Sequence, residues 1–210
     1  MSLLDTLSGT ATAAAPVASV QPAASSRVSV IPYNAARDPE ADAFLSWLWR
    51  RMKTDELVDL YFPGQLETGF PSLVEMFSKP TGAALFKLDD TESTQWNDRI
   101  PGFITWSVQQ FGHAPVLIAG FIFFREFWDH KTTSEAGEAA FKFWFDNEHK
   151  VEEVLGLCPS LHIVAQRYNK RVGLRERMRL SQCALFHGEP CDAIVYGMSR
   201  SDWLARRGGA

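Results

Sequence analysis

Between Pro115 and Met198 the hydrophobic period switches repeatedly between strand-like and helix-like, and that alternation leaves few folds open. Pro115–Phe127 is a long apolar run of strand character. After Trp128 the pattern turns helical. Thr132-Thr133-Ser134-Glu135 has the form of a capping box, and Ala136, Ala140, Phe143 and Trp144 recur on one face. Val151–Leu157 is a short buried strand that stops at Pro159. Leu161–Arg171 is helical again, closed by Val172-Gly173 with glycine at the capping position. Arg177–Phe186 and Asp192–Met198 then alternate as two strands around His187-Gly188-Glu189-Pro190. The order strand, helix, strand, helix, strand, turn, strand calls for a mixed sheet with crossover helices and a closing antiparallel hairpin. The expected class is α/β (α+β): a mixed central sheet flanked by helices.

The preceding half supplies further elements for the same sheet. Arg27–Pro32 alternates as a short edge strand, and Asp38-Pro39-Glu40 opens a helix with Asp38 as N-cap. Phe44, Leu45, Leu48 and Met52 share one face of that helix. Short helices are expected over Asp55–Tyr61 and Pro71–Phe77, and strands over Ala83–Lys87 and Phe103–Val108. A turn through Gly112-His113 joins Phe103–Val108 to the long run after it. Residues 1–27 stand apart. After Leu3-Leu4-Asp5-Thr6-Leu7 the composition falls to Ala, Ser, Thr, Pro and Val, too small to offset the entropy of ordering. An extended, flexible arm is expected over 1–27, followed by a single domain over 28–210.

Composition removes several functions. The chain has 210 residues, 46% of them hydrophobic, enough for one domain with a substantial core. A net charge of −4 gives no electrostatic case for specific nucleic-acid binding. Ala114–Phe124 is the greasiest stretch and ends at Arg125-Glu126, short of a membrane span. Nor is there a basic region before an apolar core, so no secretory signal is expected. Cys158, Cys183 and Cys191 are too few for a disulfide framework. Cys183 and Cys191 flank the last turn and are expected to be small buried hydrophobes in a reducing cytoplasm. No Cys/His spacing fits a metal, so no metal site is expected.

Three features in order resemble the GNAT superfamily. The strand Val116–Phe124 runs into a loop and helix holding Ser134-Glu135-Ala136-Gly137-Glu138-Ala139, similar to that family's acyl-CoA pyrophosphate loop. His162-Ile163-Val164-Ala165 followed by Gly173-Leu174 resembles its Asn, two residues, Ala, and later Gly-Phe. The closing Asp192 … Tyr196 … Trp203 resembles the ending of many such acyltransferases, in particular GNAT-like proteins of tailed bacteriophages. The likeness runs from about Ala119 to Trp203.

The resemblance implies acetyl-CoA as cofactor, with its pyrophosphate at Ser134, Gly137 and Ala139, and with Glu126 as base. The family's acid falls on Asn169, which cannot donate a proton to a thiolate; the candidate acid is then Tyr168, adjacent and about 100° round the helix. Ser134, His162 and Asn169 all depart from the family pattern. Those departures, the phage-like ending and the arm favour a non-catalytic structural or binding component of a bacteriophage virion, with no cofactor. In that case residues 1–27 tether it to other virion proteins in a multi-copy assembly. The alternative is an active acyl-CoA-dependent N-acetyltransferase with a divergent pyrophosphate loop.

Overall fold

A computed structural model describes residues 27–61, 67–79, 82–93, 95–111, 114–146 and 151–208. The arm expected over 1–27 therefore lies outside the described residues except at Arg27, as does the Gly112-His113 turn. Seven described strands form one sheet: β1 (Val28–Pro32), β2 (Ala83–Leu88), β3 (Gly102–Phe111), β4 (Ala114–Phe123), β5 (Glu153–Pro159), β6 (Arg175–Phe186) and β7 (Glu189–Ser199). Their order is β1-β2-β3-β4-β5-β7-β6. Every neighbouring pair is antiparallel except β4 and β5, which run parallel. The helices are α1 (Ala41–Thr54), α2 (Val58–Tyr61), α3 (Phe70–Ser78), α4 (Trp96–Arg99), α5 (His130–Asp146), α6 (Ile163–Arg171) and α7 (Arg200–Gly208).

Side-chain alternation gives the sheet two buried faces. Leu117 and Phe123 of β4 join Val154 and Cys158 of β5 in a core closed by Ala136, Ala140, Phe141 and Trp144 of α5. Ile122 and Phe124 point the other way, into a second core built on Phe44, Leu45, Leu48 and Met52 of α1. The apolar stripe expected on α1 is thus the one buried.

Helix starts differ from their sequence signals. α1 begins at Ala41; the Asp38 carboxylate accepts the Glu40 N–H at 2.9 Å and the Tyr33 hydroxyl at 2.7 Å, so it ties the turn before the helix. α5 begins at His130, one turn ahead of the expected capping box. Asp129 takes the capping position by accepting the Thr132 N–H at 2.7 Å, and Glu135 is freed to bind Arg27 at 3.2 Å. β4 stops at Phe123 because the Asp55 carboxylate captures the Arg125 N–H at 2.8 Å and turns the chain into a short 3-10 helix, Arg125–Phe127. The C-terminal helix α7 was not signalled by hairpin-like alternation. It is fixed by Trp203, 1% exposed and stacked on Phe145. Of the two cysteines expected to be buried at the last turn, Cys191 is buried and Cys183 is exposed on the edge strand.

The turn between β6 and β7 is tight. His187 and Gly188 both have positive φ, +50° and +82°, as a two-residue hairpin of that hand requires. At the end of α6, Gly173 sits at φ +89° and the Leu174 N–H reaches back to the Asn169 carbonyl, confirming the cap expected there.

Candidate active site

The parallel pairing of β4 and β5 is short. Val116, Leu117 and Ile118 pair with Glu153, Val154 and Leu155, and beyond them the strands diverge. Past Ile118 and Leu155 two strand edges therefore face each other across a gap without a ladder between them. Small residues keep the gap clear: Ala119 and Gly120 on one side, Gly156 on the other. Gly156 shares the sheet face of Val154 and Cys158, and a Cβ there would lie 3.2 Å from the Ala119 carbonyl oxygen. Trp144 is completely buried in the α5 core and does not enter the gap.

Two adjacent cavities lie here, with residues of α6 in the wall of both. One, of about 100 Å³, lies in the splay itself; the other, of about 240 Å³, runs toward the start of α5. Phe121, Ala165, Tyr168 and His162 line both. At the α5 end, the Arg171 guanidinium donates to Thr133 Oγ1 at 2.6 Å and to His130 Nδ1 at 3.0 Å. Its Nε is buried with no hydrogen-bond acceptor among the described residues. Arg167 lines the same cavity. This end is cationic. The first amides of α5 are already taken by Asp129, so an anion here would be held by side chains rather than by the bare helix end. Asp129 itself is held below the usual carboxylate range. Burial opposes this, but hydrogen bonds from Thr132 and Lys131 and the nearby Arg27 outweigh it.

A third cavity, of about 270 Å³, opens beside these and shares His162, Leu60, Trp128 and Val164 with its neighbour. His162 is thus common to all three. It sits just before α6, its ring 5.2 Å from that of Phe186. Burial, and then repulsion from His187, push its pKa below the ordinary histidine value. At neutral pH His162 is an uncharged imidazole at a three-way junction, which is the state a proton acceptor needs.

The sequence finds no match among protein-family models or curated proteins. Solved structures do match. A probable GNAT-family acetyltransferase from Chromobacterium violaceum superposes with a TM-score of 0.63 at 16% identity, over 93% of this chain and 99% of its own. Spermidine N-acetyltransferase from Vibrio cholerae, solved with CoA and spermine, gives 0.65 at 13% identity, over 85% and 99%. Microcin C7 self-immunity acetyltransferase MccE, solved with acetyl-CoA and AMP, gives 0.60 at 9% identity, over 82% and 92%.

The chain has the GNAT acetyltransferase fold.

Within this GNAT fold the residues singled out from sequence fall in different places. Ser134, Gly137 and Ala139 lie in the body of α5, beyond its first turn. Gly137 is where α5 and α6 touch: a Cβ would meet Val172 Cγ1 at 2.7 Å and the Tyr168 hydroxyl at 3.0 Å. Glu126 lies in the 3-10 turn after β4, its carboxylate bound to Arg51 of α1, and it lines none of the three cavities. Tyr168 does line the cleft, packed on Phe121 and Phe123 at 5.4 and 5.3 Å between ring centroids, with its hydroxyl end toward Gly137. Asn169 lines the splay cavity.

Residues the sequence did not single out include Arg171, Arg167 and the α2 residue Leu60, which roofs all three cavities. His162, Tyr168 and Asn169 had a signal, all three falling in or beside the second motif.

Proposed function

We propose that this chain is an acyl-CoA-dependent N-acyltransferase, with His162 as the proton-accepting group. One observation carries this: the splayed β4–β5 cleft lies beside a cavity with a cationic end, and His162 is in the wall of both and of a third cavity. The residues fit an acyl-CoA. The diverging strand edges supply unpaired backbone groups for a pantetheine amide chain, Gly156 leaves room, and the positive charges of Arg171 and Arg167 match phosphate. When bound, acetyl-CoA would supply a thioester carbonyl reactive toward amines. His162 takes the proton that the neutral amine loses on attacking the thioester carbonyl and passes it to the departing thiolate, so that amide and free thiol are the products. The open edge of β4 beyond Ile118 offers backbone N–H groups to the carbonyl oxygen.

The solved neighbours favour this over a non-catalytic virion component. The departure at Ser134 weighs less because that side chain lines none of the cavities, and Arg167 and Arg171 at the end of α6 would take the phosphate contact instead. A tether through residues 1–27 to virion partners has sequence composition alone behind it.

The test is release of free thiol from acetyl-CoA in the presence of a primary amine. The expected result is enzyme-dependent release, lowered about 10²–10³-fold in kcat by His162→Gln with acetyl-CoA binding retained. Thiol release equal to the uncatalysed rate, or full activity in His162→Gln, would overturn the proposal.

A further inference from the structure

The third cavity has a composition that selects its ligand. Its carboxylates are already matched by guanidinium groups. Asp55 lies 3.4 Å from Arg51 Nε and accepts the Arg125 N–H, while Glu56 is paired with Arg125 at 2.5 Å. Arg51 in turn holds Glu126. No carboxylate lining this cavity lacks a cationic partner, so a polycation would find its favourable sites occupied. The rest of the wall is apolar. Trp128 is 39% exposed, Ile163 51% and Val164 52%, and the Phe186 ring lies tilted to that of His162 at 5.2 Å and edge-on to that of His187 at 4.3 Å. Large apolar side chains left in water around a concavity mark a place where an apolar body is received.

His162 is in the wall of this cavity and of the acyl cleft beside it, so an occupant here can present an atom to that imidazole. We propose, resting on the acyltransfer reading above, that the acceptor is a small monoamine carried on an apolar, aromatic-sized body. Its ring lies against Trp128, Val164 and Phe186, and its single amine is directed at His162. The volume of about 270 Å³ lies just under the ~300–1,000 Å³ usual for drug-sized ligands, which suits a one- or two-ring amine. Such an amine would shed its ammonium proton to solvent and react as the neutral amine, and His162 takes the second proton, the one lost as the amine attacks.

Two measurements on the full chain test this. In the first, 2-phenylethylamine, butylamine and spermidine compete as acceptors with acetyl-CoA. The expected kcat/KM is highest for 2-phenylethylamine, at least about tenfold above spermidine. Val164→Glu places an unmatched carboxylate on this exposed wall and is expected to reverse that order. In the second, 2-phenylethylamine is titrated into the chain without acetyl-CoA, followed by tryptophan fluorescence. The signal is expected to saturate in the parent and to be lost in Trp128→Ala, a variant at a part-exposed position. Faster turnover of spermidine, or no saturable binding of 2-phenylethylamine, overturns the apolar-amine assignment and leaves acyl transfer standing. Saturable binding without any acetyl-CoA turnover does the reverse.

Discussion

His162 is the residue on which the chemistry turns, and its state follows from two local causes. Burial among Phe186, Ala165 and the α6 start disfavours the charged ring, and the neighbouring His187 repels a second positive charge. A folded pKa below the unfolded one means that the native state binds its proton later as pH falls. The stabilising contribution is therefore complete above the ordinary histidine value near 6.5 and is lost as pH drops below it toward the folded value. Proton NMR should show the His162 ring titrating below the ordinary value, and His187→Ala should move it part of the way back up. Titration at or above the ordinary value, or no response to His187→Ala, would contradict the assignment. Glu126 shows the opposite logic. An end-of-strand carboxylate looks like a base in sequence, yet Arg51 one helix away binds it and removes it from the cleft.

At the scale of elements, the contact of α5 with α6 fixes the cleft's width. It depends on Gly137, whose missing side chain lets Val172 and the Tyr168 hydroxyl close to about van der Waals distance. In sequence that glycine looks like part of a phosphate-binding loop. The difference arises because Asp129 starts α5 a turn earlier than Thr132 would, carrying residues 134–139 into the helix body. Gly137→Ala gains helix propensity but forces a Cβ into Val172, so overpacking wins. Urea denaturation should show a loss of about 1–3 kcal/mol. An unchanged or raised midpoint would mean that the two helices are not held at this point.

For the whole molecule, the element order was legible because each element carries its own stop and start signals: Pro159, Gly173, the two-residue turn at His187-Gly188 and the α1 stripe of Phe44, Leu45, Leu48 and Met52. Those are local, and local patterns survive folding. α7 escaped because Trp203 reads equally well as the end of a strand until Phe145 of α5 is beside it. The site was largely illegible for the same reason. The splay depends on how few residues of β4 and β5 pair, and Arg171, His130 and Leu60 meet only through tertiary packing. No spacing in the chain encodes that. The central claim, that the open splay receives an acyl-CoA, is tested most directly by calorimetric titration of acetyl-CoA into the parent chain and into Gly156→Val, whose side chain fills the α6-facing side of the gap. The expected result is micromolar binding to the parent with a negative heat-capacity change, and binding weakened at least about tenfold in a still-folded Gly156→Val. No heat of binding at millimolar acetyl-CoA, or equal affinity in the two proteins, would contradict it.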